Sequence, residues 1–279
     1  MTVVACNAAI SALGKAANKS EDVAVKRVIH ARAKELLEKM RLDASLTMDS
    51  FTYSSAMTVC GAAGEWKDAL QLLDAMKQSK CRLNKVAYTS AITACGKSGK
   101  WEEALRLFKE MKQTVGVDQV SYNALVAALK LGKQEDKVYE VWNEMYQRSK
   151  THTTTPIRNS RPSSSYKNKS QTIHPDIITL TNVLSTLSPN NPNSDTVFAQ
   201  AVSRGIVLKH NYLDSSHEVD LSGMSRSVAR CAVRYVLNNL RKDLVHDGCG
   251  VTFITGVGGG GRWDPRRRGR KEEEEEEEE

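Results

Sequence analysis

The stretch TACGKSGKWEEALRLFKEMK, Thr93–Lys112, is written almost a second time as TVCGAAGEWKDALQLLDAMK, Thr58–Lys77. The copies pair Tyr53 with Tyr88, Cys60 with Cys95, Gly61 with Gly96, Trp66 with Trp101, Ala69 with Ala104 and Met76 with Met111, each 35 positions apart. A third copy follows at 34, with Tyr122 for Tyr88, Trp142 for Phe108 and Met145 for Met111. Weaker copies flank these, ACNAAISALGK with ARAKELLEKM before them and ITLTNVLSTL after, which makes five units. Within a unit, Tyr53, Ala56, Met57 and Cys60 mark the apolar face of a first helix, and Trp66, Ala69, Leu72, Leu73 and Met76 that of a second. Gly61 to Gly64 is expected to break the chain between them. A helix pair this short cannot bury its stripe alone, so the units are expected to stack as a mainly α solenoid over residues 3–207. The Met and aromatic stripes are then core, not a cofactor box.

Beside these apolar faces the first helices carry Asn7, Ser54, Thr89, Asn123 and Thr181 near their starts. Helix capping or ordinary surface polarity explains one or two such residues. Five at equivalent positions form a ladder of hydrogen-bond donors and acceptors, the chemistry needed to read unstacked bases by their edges. Asp49, Asn84, Asp118 and Asp176 end the preceding units as a second polar ladder. Val4, Phe51, Val86, Val120 and Ile178 stand just before the first ladder, where they can sandwich bases or, on periodicity alone, belong to the core.

The period and the pattern of Tyr with Ser, Thr or Asn, then Gly, Trp-x-x-Ala-Leu and Met-Lys resemble the pentatricopeptide repeat family. The resemblance implies a right-handed solenoid of helical hairpins that binds single-stranded RNA, one base per repeat. Carried over residue by residue, Asn7 with Asp49 resembles a U reader, Ser54 with Asn84 an A reader, Thr89 with Asp118 a G reader and Asn123 with Asp176 a U reader. The implied preference is 5′-UAGU-3′. It further implies a role in RNA processing, stability or translation in a chloroplast or mitochondrion. The rival is a protein-binding scaffold of tetratricopeptide type, whose Trp-x-x-Leu-Gly-x-x-Tyr opening is absent.

Charge agrees with an anionic partner. The 279-residue chain has a net charge of +7, but eight of its 33 acids form the run Glu272–Glu279, leaving 25 against 40 Lys and Arg. No apolar run is long enough to span a bilayer. Cys6, Cys60, Cys81, Cys95, Cys231 and Cys249 form no CxxC pair and no His lies at ligand spacing, so neither a metal nor a cofactor is expected. The opening MTVVACNAAIS has neither a signal-peptide nor a transit-peptide profile and reads as the inside of a structural element, so further chain upstream is expected.

Inserts are expected near 17–30 and over 146–175, the latter a loop without acids before Asp176. After Val207 the pattern changes to a strand, a helix with Val228, Cys231, Ala232 and Tyr235 on one face, and a second strand in GVTFITGVG. This β-α-β start, residues 208–261, resembles a truncated small MutS-related domain, through Asp220 and Thr255-Gly256-Val257-Gly258. Family members active on nucleic acid carry a His where Ser222 stands, and Ser cannot serve as a base at neutral pH. Asp220, His246, Thr255, Gly256 and Gly258 are therefore weak catalytic candidates, and the unit is expected not to be an enzyme, with an endonuclease as the alternative. Gly256 to Gly261 also spells a dinucleotide fingerprint, but Asp264-Pro265 and an Arg run follow where a helix is needed. Residues 262–279 are a low-complexity basic and acidic tail.

Overall fold

The computed structural model describes residues 2–43, 46–151, 173–188, 190–207, 218–240 and 252–254. The chain divides into two compact units, Met1–Asn193 and Ser194–Glu279.

The first unit is helical throughout. It runs α1 (Val3–Lys19), α2 (Val23–Leu42), α3 (Ser50–Ala63), α4 (Trp66–Gln78), α5 (Lys85–Lys97), α6 (Trp101–Thr114), α7 (Gln119–Leu131), α8 (Glu135–Thr151) and α9 (Ile177–Thr186). Odd-numbered helices pack on one another in order, α1 on α3, α3 on α5, α5 on α7 and α7 on α9. Each even-numbered helix packs on its own first helix and on the next one, as α2 does on α1 and α3. The result is two stacked layers, one of first helices and one of second helices.

Local chemistry sets where the first helices begin. Thr2, Asp49, Asn84, Asp118 and Asp176 are the N-caps of α1, α3, α5, α7 and α9, and each accepts the backbone N–H of the third helical residue. Asp49, Asp118 and Asp176 close reciprocal capping boxes with Thr52, Ser121 and Thr179. Between the layers lie Tyr88, Tyr122, Met57, Met76, Leu107, Met111 and Trp142, all with 2% or less of their surface exposed. Tyr53, Ala56, Met57 and Cys60 are buried as their spacing predicts. Trp66 is only half-buried, under the Lys100 ammonium at 5.5 Å from its ring centre, and Trp101 lies likewise under Lys137 at 5.3 Å.

Two local expectations are corrected, and one insert is given its form. Gly61 does not break the chain: α3 runs on to Ala63, and the turn is made by Gly64 at φ 79°. Gly61 and Gly96 are instead close-approach points, where a Cβ would stand 2.8 Å from Ser90 O and 2.6 Å from Ala128 Cβ. The insert expected near 17–30 is helical, since α1 and α2 occupy all but Ser20–Asp22 and Asp22 caps α2. Ser54 follows Asn7 by 47 positions rather than 35, and the excess is taken up as added helix. The expected loop from Tyr146 begins later, because Tyr146 is 9% exposed on α8 and Arg148 Nε pairs with Glu144 at 3.1 Å. The rest of that loop, 152–172, lies outside the described residues.

The second unit holds α10 (Pro192–Ser203, from Ser194 on), β1 (Glu218–Asp220), α11 (Arg226–Leu240) and β2 (Thr252–Ile254). The strands are parallel, with Val219 opposite Phe253, as a β-α-β order requires. Val228, Cys231 and Ala232 are buried on α11. Within this unit α10 meets α11 through Asp195–Arg234 at 2.9 Å and the Phe198 and Tyr235 rings at 5.6 Å.

Candidate nucleic-acid interface

The five ladder residues share one helical address. Asn7, Ser54, Thr89, Asn123 and Thr181 are each the fifth residue of their helix, one turn past its cap. Val4, Phe51, Val86, Val120 and Ile178 are each the second residue. Positions two and five lie three apart on an α-helix and therefore share a face. At position two that face is uncovered, the five apolar side chains being 77, 55, 55, 64 and 58% exposed, while at position five Asn7 and Ser54 are buried beside them. The core alternative for the five apolar residues is thereby excluded. A recurring row of exposed apolar groups, rimmed by polar ones, is the form of a binding surface.

The second ladder meets the first across each boundary between units, with one exception. Asn7 Nδ2 donates to Asp49 at 3.3 and 3.4 Å. Asn84 Nδ2 donates to Ser54 Oγ at 2.7 Å, and Asn123 Nδ2 to Asp176 Oδ2 at 3.4 Å. Thr89 and Asp118 differ, since Asp118 Oδ1 accepts Ser121 N–H at 2.9 Å and Thr89 contributes its carbonyl to Thr93. Capping, weighed in the sequence for the first ladder, is the role of every member of the second. It does not exhaust them, because three of the four also hold the residue that stands beside them. Burial pushes the Asp49 carboxyl up, but hydrogen bonds from Thr52, Asn7 and the Phe51 N–H hold it below the ordinary value, so it stays an anion.

Between α1 and α3 the face opens into a groove of about 490 Å³, lined by Val4, Asn7, Ala8, Ser11, Lys15 and Phe51. Its lining combines the apolar Val4 and Phe51 with the polar Asn7, Ser11 and Lys15. Apolar side chains beside a carboxamide match a flat ring with polar edges.

Lysines on the same helices went unnoticed in the sequence. Lys15 and Lys97 are eight residues past Asn7 and Thr89, and Lys130 is seven past Asn123, an offset of two turns that puts them on the ladder's face. Lys97 Nζ donates to Ala62 O at 2.9 Å, and burial with the Lys26 charge lowers its pKa. Lys130 Nζ donates to Asn182 Oδ1 at 3.2 Å. The signal in the sequence was a Lys seven or eight residues past the ladder residue in three of the five units.

Lysines and glutamates of successive second helices pair with each other, and each glutamate also takes a phenol from a first helix. Lys77 Nζ meets Glu110 at 2.6 Å and Tyr88 donates to the same oxygen at 2.8 Å; one repeat on, Lys112 meets Glu144 at 2.7 Å and Tyr122 donates at 2.5 Å. Burial raises the Tyr88 pKa, as does the Glu110 charge.

In the second unit Asp220 ends β1 and accepts Ser222 N–H at 2.8 Å, the usual local turn contact of an Asp. His246, Thr255, Gly256 and Gly258 lie outside the described residues. Among the described residues no three His, Cys, Asp or Glu side chains gather to hold a metal ion, and no helix is long and apolar enough to cross a membrane.

Residues 86–113 and 120–149 match the pentatricopeptide repeat model, and residues 48–97 match a model of the pentatricopeptide repeat family. The chain therefore carries pentatricopeptide repeats over its central units. No curated protein matches it. Among solved structures it is similar to the pentatricopeptide repeat protein PPR10 from maize, at 19% identity and a TM-score of 0.53 over 90% of this chain. It is likewise similar to PPR10 in complex with an 18-nt psaJ RNA element, at 19% identity and a TM-score of 0.52. The chain spans about 30% of the length of that protein. The likeness places the helical-hairpin repeat fold. Nothing in these matches supports a small MutS-related domain over residues 208–261.

Proposed function

We propose that the exposed face of the first-helix layer binds single-stranded RNA, each repeat presenting one base to its fifth helical residue and to the cap of the following helix. The observation that carries this reading is the coincidence, five times over, of an exposed apolar second residue and a polar fifth residue on one face. An RNA base is a flat apolar ring with a hydrogen-bonding rim, and stacking on its faces contributes about 1–3 kcal/mol per base. Double-stranded RNA hides those edges in a deep groove, so the strand read must be single. Support comes also from the relative whose structure holds an 18-nt RNA element. The positive excess of the chain and the lysines Lys15, Lys97 and Lys130 suit the phosphates of such a strand.

On the family resemblance the preferred sequence is UAGU, and the setting an organellar transcript in a chloroplast or mitochondrion, where binding affects processing, stability or translation. Binding of the purified chain to labelled RNA tests the molecular part. Oligonucleotides containing UAGU are expected to bind more tightly than scrambled ones. Affinity is expected to fall steeply between roughly 50 and 200 mM salt, because phosphate contacts release counterions. Equal binding of RNA and duplex DNA with no salt dependence would remove the reading.

A further inference from the structure

Asn7 and Asn123 are the two asparagines of the ladder, and each meets a threonine hydroxyl and an Asp carboxylate, with Gln119 Nε2 donating in addition to Thr179 Oγ1 at 3.1 Å. Thr52 Oγ1 lies 2.6 Å from Asn7 Oδ1, while Asn7 Nδ2 faces the Asp49 carboxylate. Thr179 Oγ1 hydrogen-bonds Asn123 Oδ1, while Asn123 Nδ2 faces Asp176. Both threonines are the third residue of the following helix, and both are wholly buried.

A carboxamide has nearly the same shape when turned over, so something must choose which end is oxygen. The carboxylate only accepts and therefore takes the NH2 end. The threonine hydroxyl supplies the matching donor for the oxygen end. The hydroxyl also lies 2.9 Å from Asp49 Oδ1 and 2.7 Å from Asp176 Oδ1, which accept the threonine's own N–H as well, but the carboxamide oxygen is the nearer acceptor in both places. The hydroxyl oxygen accepts the cap's N–H, at 3.2 Å from Asp49 and 3.5 Å from Asp176. A flipped carboxamide would set oxygen against carboxylate and NH2 against the hydroxyl proton. Two buried groups would lose partners at once.

The other two boundaries are natural controls. Where the third residue is Ala87, Asn84 reaches Ser54 directly and no hydroxyl takes part. Where it is Ser121, the hydroxyl turns to Asp118 O at 2.8 Å, and the ladder residue Thr89 has no carboxamide to orient.

We propose that Thr52 and Thr179 are positioning residues for base selection: each holds the asparagine of the preceding repeat with its oxygen and NH2 in one orientation, so that the base opposite meets one defined donor and acceptor edge. The proposal rests on the RNA-binding reading above. It extends the set that selects a base from two side chains to three, the third being internal to the helix that follows and out of reach of the RNA.

Thr52→Val keeps the shape and removes the hydroxyl, whereas Thr52→Ser keeps the hydroxyl. Each is compared with the wild-type chain against four RNA oligonucleotides that differ only at the base assigned to Asn7. In Thr52→Val the preference for the best base is expected to fall about five- to tenfold, the worth of one hydrogen bond. Preferences at the other positions are expected to stay. Thr52→Ser is expected to restore the preference, which a purely structural loss would not predict. Side-chain amide NMR signals of Asn7, recorded without RNA, are expected to change in Thr52→Val and not in Thr52→Ser. Unaltered preference in a folded Thr52→Val protein overturns the proposal, as do unaltered Asn7 amide signals. A wild-type chain that binds RNA with no base preference overturns the selection role together with the base-reading function. The amide signals still report separately whether the hydroxyl sets the orientation.

Discussion

The two helix layers repeat with the same period but use their polar groups in opposite ways. Between second helices Lys77 pairs with Glu110, and Lys112 with Glu144, from repeat to repeat, and each glutamate also accepts the phenol of a first helix, Tyr88 or Tyr122. In the first-helix layer Asn7, Ser54 and Asn123 each take a partner from the next repeat but stand beside exposed apolar side chains. A closed network holds the stack together. An open one, flanked by uncovered Val4, Phe51 and Val86, is what a ligand can complete. The teaching is that a repeated polar residue declares nothing by itself; its neighbours at the second helical position decide between staple and site.

Substitutions in the two layers should therefore separate stability from binding. The largest effect is expected where first helices touch. Gly96→Val places a side chain where a Cβ already stands 2.6 Å from Ala128 Cβ, and should destabilise the first unit by about 1–3 kcal/mol, seen as a lowered Tm. RNA binding falls with it, because the face depends on helix spacing.

On the open face the two properties should part. Phe51→Ala removes a groove wall that is 55% exposed, and is expected to cost about 1–3 kcal/mol of RNA affinity while Tm stays within the scatter of surface changes. An equal fall in Tm would mean that Phe51 packs rather than binds.

The closed network should show the reverse, and more weakly. Tyr122→Phe leaves Glu144 without its phenol and is expected to destabilise by about 1 kcal/mol with RNA affinity unchanged. Burial pushes the Glu110 and Glu144 carboxyls up, but their Lys and Tyr partners outweigh it and hold both below the ordinary value of 4.5. Their contribution is present above that value and is lost as pH falls through it and through the lower folded value. Glu144→Gln should accordingly lose stability at neutral pH and show a shallower fall in Tm on acidification. A wild-type Tm profile in the variant would show that the pair contributes nothing.

The stack of helical hairpins was legible because a period of 34 or 35 carries its own register. Once Tyr53, Tyr88 and Tyr122 are aligned, every ladder residue falls at the same turn of its helix. The ladder was legible for the same reason, and so were Asp49, Asn84, Asp118 and Asp176. Their roles were not, since one side chain can cap a helix and touch the preceding repeat at once. Gly61 was misread because sequence shows a glycine but not the Ser90 carbonyl 2.8 Å from its missing side chain.

By itself, then, the sequence determined the repeating unit, the helices and the address of each polar residue, since these depend on spacing along one chain. Only the tertiary structure decided that Val4, Phe51, Val86, Val120 and Ile178 face outward and that Thr52 and Thr179 lie against the asparagines of the preceding repeat. Those facts depend on which neighbour covers each helix face. Periodicity says that a face is apolar; packing alone says whether anything is placed upon it.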